Sequence, residues 1–443
     1  MKEPPRGWAW TTLGEVAEVG PSFDRSGIDP TTQVSFIPMA NVEAGTGVLD
    51  ASATREWQQV SKGYVPFADG DILFARITPC MENGKVAIAR NLTNGIGAGS
   101  TEFHIVRARE SIEPVFLLHY LLQMRIRQDA RAVMQGAAGQ LRVPAGFLRT
   151  LALPLPPSAE QHRIVAEIEK HISDLEAAIT STRNAGDRAV SLRSAILENV
   201  FSRPEYPPVP LGTLISSGPQ NGIYKPAEAY GTGTPIIRID DFQDEFLRDR
   251  SALRTLALES DELSSYGLHT GDLIINRVNS MTHLGKSFVV PEGICPAVFE
   301  SNMMRLSLVP SVTPAWVALY LQSPSGRGRL VQNAKQAVNQ ASINQRDVCS
   351  TPVPMPRSTQ EQVRQVERLE MHLDAVRAFR TVCDLAQARA ARLRQAILHK
   401  AFEGKLVPQD PNDEPASVLL DRIRATRAQT PARRAPRKRE VHA

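Results

Sequence analysis

Short apolar runs such as "DILFARI" (Asp71–Ile77) and "KVAIA" (Lys85–Ala89) alternate with Gly, Asn and Pro over roughly the first 155 residues. Runs of that length between turn-forming residues predict strands. One helical patch interrupts them near "VFLLHYLLQM" (Val115–Met124). The pattern then changes. Apolar or small residues fall at Val165, Ile168, Ile172, Leu175, Ile179, Thr182, Ala189, Leu192 and Ile196, in steps of mostly three and four. Such spacing over several heptads predicts a long helix with a coiled-coil seam. A second seam runs through Val366, Leu369, Leu373, Val376, Cys383, Ala390, Leu393 and Ile397. Ser158 and Ser358 stand where N-caps are expected. The small residues Thr182, Gly186, Ala189, Cys383, Ala386 and Ala390 would permit close approach; Gly186 could mark a kink or break in what is otherwise read as one helix.

The two strand-rich parts are copies. "GDILFARI" (Gly70–Ile77) returns as "GDLIINRV" (Gly271–Val278), and "STEFHIV" (Ser100–Val106) as "SNMMRLSL" (Ser301–Leu308). "EPVFLLHYLL" (Glu113–Leu122) answers "TPAWVALYLQ" (Thr313–Gln322), and "RSAILENVF" (Arg193–Phe201) answers "RQAILHKAF" (Arg394–Phe402). The offset stays at 200 or 201, so a whole unit has been duplicated, far longer than a solenoid repeat. Five segments are expected: a first α+β globule over 1–157, a helix over 158–203, a second globule over 204–356, a helix over 357–408, and a C-terminal segment over 409–443. Two such helices in one chain pair most economically with each other, antiparallel because the intervening globule brings the chain back. Two similar globules related by a pseudo-twofold axis, on a rod of roughly 60 Å at about 1.5 Å per residue, would suit a target with two sites at a fixed separation.

Charge changes this picture little. The formal net charge is +4, but residues 1–421 hold 43 basic and 46 acidic side chains, so the excess lies in the tail "RIRATRAQTPARRAPRKREVHA". Nucleic acid or another polyanion is one reading of that tail; a solvated, disordered end is the simpler one. The four scattered cysteines have no metal-site spacing and suit a reducing, cytosolic setting. The opening residues have no apolar leader, and no run reaches the length of a membrane span, so neither secretion nor a membrane is expected.

The residues resemble the DNA-specificity subunits of type I restriction-modification systems. "IPMANV", "GDILFARITPCMENGK" and "NGIGAGSTEFHIVR" are similar to one type of target-recognition domain in that family, and "QNGIYKPAEAYGTGTPIIRID" (Gln220–Asp240) to another. "LPLPPSAEQHRIV" resembles the entry to the family's helices, and "AFEGKLVPQDPNDEPASVLLDRI" its C-terminal end. "PMPRSTQEQ" departs from the usual double proline. The resemblance spans about residues 8 to 425. It implies two target-recognition domains, each reading half of a split site in double-stranded DNA, and helices that set the spacer and assemble two methyltransferase subunits. A restriction-translocase subunit would complete the complex. The chain itself would bind no cofactor; the methyltransferase subunit would use S-adenosylmethionine.

Catalytic motifs offer no rival. No Asn/Asp-Pro-Pro-aromatic tetrapeptide and no Walker A sequence occur. The glycines of "NGIGAGS" (Asn94–Ser100) miss the G-x-G-x-x-G register and lead into a strand-like stretch. Glu403 and Lys405 have half of a nuclease pattern, but Asp384 lies about five helical turns away. Cys80 has no assignable base, and His104 reads as strand packing or a surface position. The runner-up is a scaffold with duplicated protein-binding modules on a coiled coil; a self-contained restriction enzyme is weakened by the missing motifs.

Base edges are read by Arg, Asn, Gln and Lys, commonly from loops after strands. Candidates in the first unit are Asn41, Arg76, Thr78, Glu82, Asn83, Lys85 and Gln140. In the second they are Gln220, Asn221, Tyr224, Lys225, Arg238, Asn276, Arg277, Asn279 and Lys286. Positions shared by both copies (Arg76 with Arg277, Lys85 with Lys286) cannot supply different readings. They should hold fold or phosphate, while divergent positions specify.

Overall fold

The computed structural model describes residues 3–137, 139–243, 246–337 and 340–429. The chain divides into two compact units. Unit 1 takes Met1–Thr180 and Ala386–Ala443; unit 2 takes Ser181–Leu385. The boundary therefore cuts both long helices, Ser158–Phe201 and Thr359–Phe402, and each unit contains the start of one and the end of the other.

In unit 1 an antiparallel sheet runs in the order Ala17–Val19, Phe103–Ala108, Ile72–Ala75 and Val86–Ile88. Ile72–Ala75 is buried at every position, which is why its sequence reads as a continuous apolar run and not as an alternation. A second sheet orders Thr54–Glu56, Gln33–Ile37, Ile96–Gly99 and Val65–Ala68, with the middle pair parallel. Two glycines of "NGIGAGS" belong to this sheet: a Cβ on Gly97 would clash with the Phe67 ring, and one on Gly99 would stand 2.5 Å from the Ile37 carbonyl oxygen. Close packing explains that run.

Unit 2 repeats the first sheet as Ile215–Asn221, Met303–Leu308, Leu273–Asn276 and Ser287–Val289. The repetition extends to register, since Ile72 pairs with Val106 and Leu273 with Leu306. A second, three-stranded sheet orders Arg254–Leu256, Tyr230–Ile237 and Val298–Phe299. The repeated Gly-Asp pair makes the turn into the central strand. Gly70 and Gly271 have φ of 88° and 90°, a region costly for residues with a Cβ. Asp71 accepts from Ala68 N and, at 2.7 Å, from Arg107; Asp272 accepts from His269 N and from Ser307 Oγ.

Two contacts tie each globule to its helices. Gln161, buried in the first helical turn, accepts from Glu113 N at 2.8 Å and donates to the Ser111 and Pro156 carbonyls. Gln362 accepts from Thr313 N at 2.8 Å and donates to the Ser311 carbonyl. At the other helix ends, Phe402 packs on Phe116 and Tyr120 in unit 1, and Phe201 on Trp316 and Tyr320 in unit 2. Ser358 is an N-cap, with its hydroxyl accepting from Glu361 N at 3.2 Å, whereas Ser158 lies one residue inside its helix.

The helix beginning at Ser158 runs unbroken through Gly186, so the glycine makes neither kink nor break. A Cβ there would stand 4.0 Å from the Cys383 Cβ within unit 2, while within unit 1 Arg394 Nη1 reaches Glu176 Oε1 at 3.4 Å. Within unit 2, Leu197 shares a core with Leu369 and Leu373 while Gly186 faces Cys383, so the two helix segments there run antiparallel. Two expected seam residues are exposed, Leu192 at 54% and Leu393 at 49%. A helix of 3.6 residues per turn drifts from a 3.5-residue repeat, and Leu197 and Leu398 are buried instead. The C-terminal tail also differs from expectation. Ala416–Gln429 is helical, with Ala416 and Leu420 buried in the unit 1 core and Arg424 paired with Glu15 at 3.3 Å. The remainder of the basic tail lies outside the described residues.

His119 in the helix Pro114–Leu121 has both ring nitrogens buried without a partner. Burial pushes its imidazole down to about 3, with the Arg394 and Arg90 charges adding to the effect. The folded ring is neutral. A free histidine titrates near 6.5, so the unfolded chain binds the extra proton first and stability falls as pH drops below that value, by up to about 1.4 kcal/mol per pH unit. The same place in unit 2 holds Leu319. His119→Leu should stabilise unit 1 by about 1 to 3 kcal/mol at pH 7 by removing the unmet polar atoms, and the gain should widen at pH 5. Thermal unfolding of wild type and variant at both pH values checks this; an equal or lower midpoint for the variant would contradict it.

Candidate nucleic-acid interface

Strand Ile72–Ala75 ends at Arg76, and the chain then turns through the candidate residues. Arg76 is anchored three ways: its N–H donates to the Glu102 carbonyl, its own carbonyl accepts from Val143 N, and its Nε meets Glu102 Oε2 at 3.2 Å. Arg142 binds the same carboxylate, with Nη2 at 2.8 Å from Oε1 and Nε at 3.0 Å from Oε2. Hydrogen bonds from Arg142 and then Arg76 hold the Glu102 carboxyl below the usual carboxylate range against the opposing effect of burial. Thr78 Oγ1 donates to the Gly139 carbonyl and accepts from Leu141 N. Together these bonds fasten the segment carrying Gln140, whose side chain is exposed.

The other candidates of unit 1 are divided. Asn83 is exposed, Glu82 pairs with Arg131 at 3.0 Å, and Asn41 donates to the Asp50 carbonyl at 3.0 Å. Lys85 Nζ donates to the Met39 carbonyl at 2.8 Å. His104, on strand Phe103–Ala108, is buried with Nε2 2.7 Å from the Val143 carbonyl oxygen, so it serves packing.

Unit 2 repeats the anchoring with different chemistry. Arg277 N donates to the Asn302 carbonyl, its carbonyl accepts from Ile343 N, and its Nη1 donates to the Ser301 carbonyl at 3.0 Å. Asn276 is buried, its amide turned to the His283 carbonyl at 3.4 Å, so the protein and not solvent faces it. Asn279 Oδ1 accepts from Ser280 N, and Lys286 is half-buried. Gln220 donates to the Ser265 carbonyl at 3.0 Å and accepts from Arg305. Lys225 pairs with Glu262 at 2.6 Å, and that bond raises the lysine above its ordinary range. Arg238 meets Glu300 at 3.2 Å and Asp240 at 4.0 Å. Asn221 is exposed, and Tyr224 stands 80% exposed.

A sharper correspondence was missed in the sequence. The bridge between Ile77 and Arg142 recurs as the pair Val278 and Ser342, so both units fasten a late segment to the end of the Gly-Asp strand. In unit 2 that segment pairs Lys335–Ala337 with Gln340–Ser342, and Lys335, Gln336 and Gln340 are exposed. The signal was the match of Gln140 with Gln340 at the same 200-residue offset. Arg142 and Glu102 were missed because their importance lies in a pairing across 40 positions. Shared residues such as Arg76 and Arg277 are thus engaged in holding loops, while the exposed side chains, apart from Gln140 and its match Gln340, differ: Asn83 in one unit, Asn221, Tyr224 and Lys335 in the other.

Residues 5–182 match the family described as the type I restriction modification DNA specificity domain. The EcoAI type I restriction enzyme specificity subunit of Escherichia coli is 40% identical over 172 residues, 39% of this chain and 29% of the relative. The matched segment thus spans under a third of that relative's length. The EcoKI specificity subunit of Escherichia coli strain K12 is 25% identical over 369 residues, covering 76% of this chain and 76% of the relative. Among solved structures, a chain from a type I R-M system aligns with a TM-score of 0.68 at 23% identity, over 91% of this chain and all of the other, a likeness of fold. No helix among the described residues is long and apolar enough to cross a membrane. With the duplicated scaffold and the two long helices in place, residues 5–182 match the type I restriction modification DNA specificity domain, and the chain over most of its length is similar to type I restriction enzyme specificity subunits.

Proposed function

We propose that this chain reads DNA for a type I restriction-modification complex, unit 1 reading one half of a bipartite site and unit 2 the other. The observation that carries this reading is the division of labour between the copies. Arg76 and Arg277, common to both, hold loops in place, and apart from Gln140 and Gln340 the exposed candidates differ between the units and are largely of base-reading types. A scaffold binding two copies of one protein partner would have no need for the difference.

The two helices, 44 residues each, set the spacer in this reading. They also dock two methyltransferase subunits, which a restriction-translocase subunit joins. Supporting that role, the part of the second helix in unit 2 exposes Met371, Phe379, Val382 and Leu385 at 50 to 64%. These four fall within one face of the helix. Catalysis belongs to the partners in this reading, with S-adenosylmethionine bound by the methyltransferase and no cofactor by this chain. The cysteines among the described residues are all free thiols, in keeping with a cytosolic setting.

Three experiments test this. Purified chain with DNA and methyl donor should transfer no methyl group, and addition of the methyltransferase subunit should produce modification at one bipartite motif; transfer by the chain alone would refute the assignment. Exchanging residues 206–355 for the corresponding segment of a relative should change one half of that motif and leave the other, as read by methylome sequencing. A change in both halves by a folded chimera would argue against independent readers. Finally, Val382→Asp with Leu385→Asp should weaken assembly with the methyltransferase by at least about tenfold and leave helical circular dichroism unchanged, whereas undiminished assembly would remove this face from the docking surface.

A further inference from the structure

The duplication supplies an internal control at the corner where the Gly-Asp strand of each unit ends. In unit 1 Arg142 lies between two neighbours: it bridges to Ile77 on one side and pairs with Gln135 on the other, each backbone N–H of that pair donating to the other's carbonyl, at 3.0 and 2.8 Å. In unit 2 Ser342 lies between Val278 and Lys335 in the same way. Offsets of 200 and 201 residues therefore match Gln135 with Lys335, Arg142 with Ser342 and Arg76 with Arg277. Glu102 matches Asn302, since Arg76 N donates to the Glu102 carbonyl and Arg277 N to the Asn302 carbonyl.

Only the arginine at the strand end is the same in both units, and the other changes are not independent. The cation of the cross-strand pair changes sides: unit 1 has Gln135 opposite Arg142, and unit 2 has Lys335 opposite Ser342. Directly opposed residues stand on one face about 5 Å apart, so either arrangement sets a positive charge over the same stretch of backbone. Its kind changes as well, from guanidinium to ammonium. A base edge gripped by the fork of an arginine does not tolerate that exchange, whereas a phosphate accepts either cation. The remaining change alters the charge. Glu102 binds both arginines of unit 1, at 3.2 Å from Arg76 Nε and 2.8 Å from Arg142 Nη2, and Asn302 brings no carboxylate to its place in unit 2. Arg277 Nη1 donates to the Ser301 carbonyl at 3.0 Å, its Nε is buried without the acceptor that Arg76 Nε has, and Lys335 is exposed.

We infer that this corner is a clamp for backbone phosphates of DNA, taking one phosphate in unit 1, where Glu102 offsets one of two cations, and two in unit 2, where nothing offsets Arg277 and Lys335. The inference rests on the DNA reading above and adds to it which residues neutralise the backbone. An arginine present in both copies cannot tell two half-sites apart, and a neighbouring cation whose kind and strand vary meets a demand for charge, not for a pattern of donors. Glu102 holds in unit 1 an acceptor position that phosphate oxygens fill in unit 2. The half-site bound by unit 2 then carries the larger share of the salt dependence of binding.

The test is binding of the full chain, assembled with the methyltransferase subunit, to duplex DNA carrying the methylated motif, measured over a series of KCl concentrations. Lys335→Gln should reduce the slope of log K against log salt by about 0.9, the loss of one phosphate contact, while methylome sequencing returns the same motif. Lys335→Arg should keep the full slope. Asn302→Glu, which gives unit 2 the carboxylate of unit 1, should reduce the slope by a similar amount and again leave the motif as it was. Lys335 is exposed, so its variants fold whatever becomes of the substitution at Asn302. A slope unchanged in Lys335→Gln or in a folded Asn302→Glu chain, or a base altered in the motif by either, would overturn the clamp and leave the DNA reading standing. A wild-type complex that binds no DNA and yields no motif would remove that reading, and the clamp with it.

Discussion

Phe201 and Phe402 end the two long helices, and each lies in an aromatic nest of the unit that receives it, Phe201 on Trp316 and Tyr320, Phe402 on Phe116 and Tyr120. Removing a buried phenylalanine of this kind costs about 3 to 5 kcal/mol. The consequence is larger than the energy. Because each unit owns the start of one helix through Gln161 or Gln362 and the end of the other through a phenylalanine, unit 2 is one continuous stretch while unit 1 is assembled from two separate ones. Unit 1 is completed only after residue 385, and its C-terminal helix then returns to the beginning of the chain, with Ala416 N donating to the Gly7 carbonyl.

This closure explains the form of the repeat. In unit 2 the first helix ends at Phe201, and a short connection leads to Pro208–Pro210, which pairs with Pro352–Pro354. In unit 1 the helix ends at Phe402, and the strand in the matching place, Ala9–Thr12 paired with Ala152–Leu155, is supplied by the other end of the chain. The same local structure is built once from a continuous chain and once from two ends. Hydrogen bonding requires this: each closing strand presents backbone groups that must be paired when buried, whichever way the chain arrives.

Much of this was legible in the sequence because it rests on local or periodic features. The central strands, the turn at Gly70 and Gly271, the duplication and the helix lengths all follow from short patterns that each copy repeats. Gly186 does not interrupt the expected helix although a glycine there costs propensity, and a Cβ would meet Cys383 only in ordinary contact. Leu192 and Leu393 were misplaced because counting in heptads over a long helix accumulates angular error. At the interface, residue type gave candidates without saying which were occupied. Asn276 and Lys85 have the same base-reading chemistry as Asn83 and Gln140, yet the first two donate to carbonyls of His283 and Met39. Only the pairing across distant positions separates them.

That separation bears on how one scaffold can carry different readings. In unit 1 Glu102 fixes Arg76 and Arg142, and the bridge from Ile77 to Arg142 fixes the segment on which Gln140 stands. In unit 2 the segment carrying Gln340 is fixed by strand pairing of Val278 with Ser342, and a serine holds the place of Arg142. The position of the segment is therefore set mainly by backbone hydrogen bonds, which are indifferent to side chain. Exposed residues on it can change without a cost in folding beyond the small effects usual at surfaces. Residues that clamp it change together, as Glu102 and Arg142 give way to Asn302 and Ser342, since losing Glu102 alone leaves two arginines without their carboxylate. Specificity can vary where the fold makes no demand, and the cations common to both units mark where it does.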